Sequence, residues 1–142
     1  MHLKLHTDAA ITGHTNKGGY GISACAFVAV DETGTVVRKG GLVMDGKTTI
    51  SEAEYGAVLL GLYNARMLGA KTVDLYSDSQ LIVRQITGQY RCKAANLKPY
   101  LEEVREEIKQ FDHVSVTWIP REKNTIADEE SKRVLSSRGG DT

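Results

Sequence analysis

Residues 74–88, DLYSDSQLIVRQITG, contain the change of pattern that decides the fold. The first residues are apolar and β-leaning, and they pass directly into a helix-like run that ends at Gly88. Asp78 stands at the joint between the two. Asp and Ser are both good helix N-caps, because a side-chain oxygen accepts a backbone N–H left unpaired in the first turn. Taken alone, the acid is therefore explained by capping, at Asp78 or at Ser79, as well as by a functional role.

The composition predicts one globular domain. The chain has 142 residues, 41% of them hydrophobic, which is enough to bury a sizeable core. We expect this domain to span residues 1–136, followed by a flexible tail at 137–142. No stretch approaches the roughly 18 apolar residues of a membrane span, and the first residues lack the apolar core of a secretory signal. The sequence therefore predicts a cytoplasmic protein with no membrane contact, and nothing in it requires more than a monomer.

The charge balance argues against a globally basic protein, and the two cysteines argue against a CxxC metal site. Eighteen basic and eighteen acidic residues give a formal net charge of zero, so no global field attracts a polyanion, and any nucleic acid must be held by local patches. The two cysteines, Cys25 and Cys92, do not form a CxxC pair of the kind that binds metals. Cys25 lies in an apolar run and is interpreted as a small core residue.

The segments before Asp78 predict a meander and then a helix. Strands are expected at residues 3–7, 21–30 and 35–44, with a turn signal, DETG, between the last two. Ser51 and Glu54 have the spacing of a capping box, which predicts a helix from there to a stop at Gly69.

From residue 72 onwards strands alternate with helices. We expect strands at 72–77 and 114–119, helices at 80–87 and 97–111, and a last helix capped by Asn124 that runs to about residue 135. Three hairpin-linked strands followed by this alternation predict an α/β fold with a mixed sheet and helices packed on its faces.

Four acids stand at joints between predicted elements, where functional side chains gather in mixed sheets. Asp8 ends the first strand, Glu54 lies in the first turn of the first helix, Asp78 ends the fourth strand, and Asp128 lies one turn into the last helix. Each also has a local explanation as a turn former, a cap or a first-turn acid favoured by the helix dipole. Taken together, those explanations do not account for the fact that two apolar strands each end in an acid. This repeated placement suggests a metal site.

Four motifs carry a resemblance to a known family. They are HTDAAITGHTNKGGYG at 6–21, TTISEAEYGAVLLGL at 48–62, LYSDSQLIVRQITGQY at 75–90 and VTWIPREKNTIADEESK at 116–132. In this order the chain resembles type 1 ribonuclease H over about residues 3–135, and more closely its compact branch with WIPRE-type endings, found in archaeal, bacterial and reverse-transcriptase-like domains.

The resemblance implies a ribonuclease-H-like fold, with a five-stranded mixed sheet whose first three strands are antiparallel. It implies that Asp8, Glu54, Asp78 and Asp128 bind two Mg²⁺ or Mn²⁺ ions and that the substrate is the RNA strand of an RNA–DNA hybrid, cut to 5′-phosphate and 3′-hydroxyl ends. Clustered carboxylates repel one another, so such a site needs cations, and hard divalent ions prefer oxygen ligands. Candidates for binding the hybrid, by position in the motifs, are Asn16, Gly19, Ser51, Ser79, Gln80 and Arg121.

The chain departs from the family pattern in four places. Ala9 replaces a frequent Gly, and Ile50-Ser51 replaces a pair of Asn residues. The loop at residues 120–124 has no His, and the always-charged Arg121 cannot transfer protons in its place. The segment that carries a basic protrusion in some members contains only three basic residues here, so we expect weak, salt-dependent binding of the hybrid. These residues are Arg91, Lys93 and Lys98.

Three other interpretations remain open at this stage. The domain could be a catalytically weak or inactive ribonuclease-H-like module that only binds nucleic acid or a protein. It could be another nuclease on the same fold, although 3′–5′ exonucleases typically place a second acid two residues after the first, where this chain has Ala10. A purely structural interpretation requires all four acids to be caps or turn formers.

Overall fold

The computed structural model describes residues 1–12 and 21–140, apart from the side chains of residues 21, 45–47 and 138–140. Asn16 and Gly19, two predicted substrate contacts, lie outside the described residues. The strands are β1 (His2–Ile11), β2 (Gly21–Val30), β3 (Val36–Thr48), β4 (Thr72–Ser77) and β5 (His113–Trp118). The helices are α1 (Ile50–Met67), α2 (Gln80–Ile86), α3 (Lys98–Ile108) and α4 (Thr125–Gly140), with a 3-10 turn at Arg121–Lys123 before α4.

The five strands form one mixed sheet in the order β3-β2-β1-β4-β5. The pairs β1–β2 and β2–β3 are antiparallel, and β1–β4 and β4–β5 are parallel. The predicted fold class, including the three antiparallel strands at the start, is confirmed. No helix in the described part of the chain is both long and apolar enough to cross a membrane.

Helices cover both faces of the sheet. Gly61 of α1 lies against Leu5 of β1, because a Cβ there would come within 2.9 Å of the leucine side chain. Ser131 of α4 lies 3.5 Å from Asp8 on the same strand. Leu5 and Asp8 are three residues apart and so point to opposite faces. The main core lies under α1, where fully buried side chains from β1, β4 and the helices pack together.

The first strand is longer than predicted. Residues 8–11 pair with β2, so Asp8 lies inside β1 and does not end it. The parallel pairing with β4, however, stops at His6 opposite Tyr76. Asp8 is therefore two residues past the last β1–β4 pair, at the level where β4 has given way to Asp78.

The predicted capping box at Ser51 and Glu54 is wrong. The N-cap of α1 is Thr49, whose hydroxyl accepts the N–H of Glu52, while the Glu52 carboxylate accepts the N–H of Thr49. The same S/T-x-x-E spacing occurs twice in this stretch, two residues apart, and the earlier copy forms the box. Glu54 is thus free of a capping role.

The other boundaries lie close to the predictions, with two exceptions. Strand β3 continues to Thr48, and α4 continues to Gly140, past the predicted end near residue 135. Gly69 and Gly88 follow α1 and α2 with φ of 86° and 84°, a left-handed conformation that glycine adopts without strain and that ends a helix. The flexibility of residues 137–142 and the boundary of the domain at 136 stay predictions.

Candidate metal centre

Three carboxylates from three separate elements converge at one end of the sheet. Asp8 of β1, Glu54 of α1 and Asp78 after β4 each offer an oxygen, and these oxygens lie within 4.8 Å of one another. The parallel register of β1 and β4 puts the two aspartates side by side. The packing of α1 against β1 brings the first turns of the helix to the same place. This arrangement offers a divalent cation three oxygen ligands.

Two of the three acids are buried and the third, Asp78, is half-buried. Asp8 is 4% exposed and Glu54 8% exposed. Burial, and then the negative charges of Asp78 and Asp128, raise the pKa of Asp8 from 3.8 to about 7. Burial, followed by the charges of Asp8 and Asp78, raises the pKa of Glu54 well above its ordinary value, and burial also raises that of Asp78. Ionising all three costs free energy that a bound cation would offset.

One carboxylate oxygen has no hydrogen-bond partner. Among the described residues, only Glu54 Oε2 and Ser23 Oγ are buried side-chain polar atoms without a partner. A buried, unpaired acceptor is costly, and an oxygen-seeking ion such as Mg²⁺ or Mn²⁺ would satisfy it. The donor set therefore fits a hard divalent cation.

Asp128 reaches the same pocket and lies close enough to Asp8 to contribute to the raised pKa of that carboxyl. All four line an open pocket of about 500 Å³. Asp128 is not one of the three converging carboxylates; its Oδ2 lies 2.9 Å from Lys132 Nζ and its Oδ1 lies 3.9 Å from an Arg121 nitrogen. The sequence predicted that the four acids form one set. The structure places all four in one pocket, where three carboxylates converge and the fourth is paired with Lys132 and Arg121.

A family model described as reverse transcriptase-like matches residues 8–134 of the chain. Ribonuclease HI of Halobacterium salinarum is 34% identical over 113 residues, which cover 80% of this chain and 56% of that protein. A crystal structure of RNase H1 from the same archaeon matches with a TM-score of 0.87 at 30% identity, covering 96% of this chain and 99% of that one. The chain belongs to the type 1 ribonuclease H family.

Two further similarities concern the length and the substrate of relatives of this ribonuclease H-family domain. A bifunctional protein of Mycobacterium tuberculosis is 30% identical over 128 residues, which are 90% of this chain but 34% of that protein. The domain thus spans about a third of the length of its mycobacterial relatives. The structure of LC11-RNase H1 in complex with an RNA/DNA hybrid matches with a TM-score of 0.85 at 28% identity, covering 96% of this chain and 98% of that one.

Asn124 lies at the site, although the sequence predicted it only as the cap of the last helix. It precedes α4, as predicted, and its backbone oxygen accepts the N–H of Asp128. Its fully buried side chain instead donates to the carbonyl of Thr7 at 2.9 Å and lies 3.4 Å from His6 Nδ1. A side-chain hydrogen bond from Asn124 also lowers the pKa of Asp78, against the larger effect of burial. Asn124 therefore ties the start of α4 to both strands that carry the aspartates.

The described members of the predicted hybrid-binding set fall into two groups. Arg121 lines the acid pocket and is exposed. Ser79 is the N-cap of α2, its hydroxyl accepting the N–H of Ile82, so the cap at this joint is Ser79 and not Asp78. Gln80 begins α2, and Ser51 lies in the first turn of α1; neither of them lines the pocket, nor does Ser79.

A basic patch near α2 is larger than the sequence indicated. The Arg84 guanidinium lies 5.2 Å from the centre of the Tyr90 ring and donates to its hydroxyl at 2.9 Å. Tyr90 also lines a pocket with Arg91, Lys98 and Arg105, and with one acid, Glu102. The basic residues predicted from the sequence all lie in residues 88–100, so the prediction lacked Arg84 of α2 and Arg105 further along α3.

Proposed function

We propose that this domain hydrolyses the RNA strand of RNA–DNA hybrids and leaves 5′-phosphate and 3′-hydroxyl ends. The observation that carries the proposal is the convergence of Asp8, Glu54 and Asp78 within 4.8 Å, with pKa values raised by burial and mutual repulsion. Membership of the ribonuclease H family and the likeness to an RNase H1 bound to a hybrid support the substrate.

Two Mg²⁺ or Mn²⁺ ions would be held by these three acids together with Asp128. When bound, such ions supply an activated water and stabilise the leaving oxygen in an in-line displacement at phosphorus. The protein's own part is to fix the carboxylates before substrate arrives. Asn124 does so by hydrogen bonds to the backbone of β1 and to Asp78, and Ser131 does so through its contacts with Asp8 and with the backbone of Asp128.

Six residues and the basic patch are proposed to contact the substrate. Arg121 is suited to contact phosphate, because it lines the acid pocket with its guanidinium exposed. The basic patch of Arg84, Arg91, Lys98 and Arg105 around Tyr90 is suited to hold the backbone of the duplex, in the part of the chain where other members carry a protrusion. Asn16, Gly19, Ser51, Ser79 and Gln80 stay proposed contacts, as do the monomeric state and the cytoplasmic location.

The test is cleavage of an end-labelled RNA–DNA hybrid beside all-DNA and all-RNA duplexes, with Mg²⁺, Mn²⁺ or EDTA. We expect metal-dependent cutting of the hybrid's RNA strand only. Asp78→Asn should lower the rate at least about 100-fold, because a metal ligand contributes several kcal/mol to the transition state. Asp112→Asn, at an exposed acid that does not line the pocket, is the matched control and should keep full activity.

No cleavage with either metal by folded protein would reject this proposal. It would favour the alternative, a catalytically inactive ribonuclease-H-like module that binds nucleic acid. Binding of the hybrid without cutting would then identify that module. The feature that favours this alternative is the loop at residues 120–124, which has no His.

A further inference from the structure

A second groove lies apart from the metal centre, between α1, α3 and the edge strand β3. It has a volume of about 980 Å³ and shares no lining residue with the pocket of the four acids. It shares one residue, Glu102, with the pocket of Arg91, Lys98 and Arg105, and the proposed nuclease function uses none of its other side chains. Its chemistry combines an apolar floor with an acidic rim.

The floor of the groove is apolar and partly open to solvent. Helix α1 contributes Leu59, Leu60 and Tyr63, and β3 contributes Leu42 and Met44. Leu42 is 52% exposed and Tyr63 49% exposed. Large apolar side chains that gather in one concave surface and face water typically mark a site where another protein binds. Pro99 and Tyr100, at the start of α3, extend the same floor.

The rim of the groove is acidic. Helix α3 places Glu102, Glu103, Glu106 and Glu107 along it. Glu107 is paired with Arg66 at 3.2 Å and Glu106 with Lys109 at 3.0 Å. Glu102 and Glu103 form no ion pair with any residue that the structure describes. Glu103 therefore remains without a counter-charge beside the apolar floor, whereas Glu102, although it forms no ion pair, also lines the neighbouring pocket of Arg91, Lys98 and Arg105.

These charges decide the class of occupant. A phosphate backbone would be repelled by the rim, so the groove is unsuited to the hybrid or to any other nucleic acid. A protein segment with apolar side chains on one stripe and Lys or Arg beside that stripe would match both the floor and the rim. A groove beside two packed helices accepts such a segment as a further helix.

We propose that this groove is a docking site for a basic amphipathic helix of a partner protein. The apolar stripe of that helix packs on Leu59, Leu60 and Tyr63, and its cationic side chains pair with Glu102 and Glu103. The function is one of recruitment, and it does not depend on the nuclease activity proposed above.

The probe is a fluorescein-labelled synthetic helix of about 14 residues, with Leu at the helical period of 3.6 and Lys at the flanking positions. We expect saturable binding by fluorescence anisotropy, with amide shifts in α1 and α3 in NMR spectra. The double variant Glu102→Lys, Glu103→Lys should weaken binding at least tenfold. The matched variant Glu32→Lys, Asp112→Lys makes the same change of charge at exposed acids outside the groove and should bind within about twofold of the wild type.

Several outcomes would overturn the proposal. One is equal binding of a peptide with Glu in place of Lys, and another is equal binding by the Glu102, Glu103 variant. A third is a wild-type dimer in sedimentation experiments that Tyr63→Glu abolishes, which would assign the groove to a second copy of the chain. Both charge variants should melt like the wild type, so a loss of peptide binding cannot be ascribed to misfolding.

Discussion

The Nζ of Lys132 lies 2.9 Å from Oδ2 of Asp128, one turn further along α4. Arg121 approaches the other oxygen of the same carboxylate at 3.9 Å. Asp128 thus has protein cations at both oxygens, whereas Asp8 and Glu54 lie in a cluster of acids with raised pKa values. The negative charges of Asp8 and Glu54 therefore need a metal ion for balance, whereas the charge of Asp128 is balanced by Lys132 and Arg121.

Replacing Lys132 with Met should tighten the binding of Mg²⁺ or Mn²⁺. The ammonium competes with a metal ion for Asp128, so its removal should lower the apparent dissociation constant by about threefold to tenfold, the range expected for one nearby charge in a solvated site. Isothermal titration calorimetry on the substrate-free protein measures this change. Lys109→Met removes a similar ion pair on α3 and should have no effect. Unchanged affinity in Lys132→Met would show that the lysine does not compete.

Ionisation of Asp8 should make the metal-free protein less stable as the pH rises from about 4 to about 7. Because the pKa of Asp8 is raised from 3.8 to about 7, the folded state binds more protons than the unfolded state in this window. The contribution of Asp8 is present below pH 4 and is lost as the pH rises through 7. Glu54 and Asp78, whose pKa values are also raised, act in the same direction. Four groups whose pKa values are lowered act in the opposite direction: His6, Asp31, Asp74 and Glu130.

Asp8→Asn should remove the part of the pH dependence of stability that Asp8 contributes. It should also stabilise the metal-free protein at pH 8 by about 1 to 3 kcal/mol. Urea unfolding in EDTA over this range of pH measures both effects. Asp112→Asn should follow the wild-type curve. An Asp8→Asn curve that runs parallel to the wild-type curve between pH 5 and 8 would contradict the raised pKa of Asp8.

Binding and cleavage of the hybrid should weaken as NaCl is raised from low to physiological concentration. The basic patch holds few positive charges, and each phosphate contact adds roughly one to the slope of the logarithm of affinity against that of salt. The double variant Arg91→Ala, Arg105→Ala should bind more weakly and with a smaller slope, which anisotropy titrations between about 50 and 200 mM NaCl measure. Lys71→Ala, outside the patch, is the control, and an identical slope in both variants would exclude the patch.

The N-terminus of α1 offers a paired test of local structure. Thr49→Ala breaks the capping box with Glu52 and should destabilise the protein by about 1 kcal/mol, within a range of roughly 0.5 to 2. Ser51→Ala, at a position of the first turn that is not the cap, should change stability by less than about 0.5 kcal/mol. Thermal or urea unfolding distinguishes the two. The reverse order would mean that α1 begins at Ser51.

Local sequence patterns were enough to predict most of the strands and helices and to single out four acids as candidate metal ligands. Residues 74–88 specify a strand, a cap and a helix through periodicity and side-chain chemistry that act within a few residues. The positive-φ stop at Gly88 follows from the same local rules. The resemblance carried by the four motifs was enough to identify the family and the fold.

Tertiary structure alone decided which of two equivalent capping motifs forms, because Thr49 and Ser51 both precede a glutamate at the same spacing. It also decided that Asn124 turns its side chain to β1 and that Arg105 joins the basic patch. The convergence of Asp8 and Asp78 depends on the register of two parallel strands about 70 residues apart in the chain. Local patterns cannot set such distances, since they are fixed only when the sheet pairs and the helices pack on it.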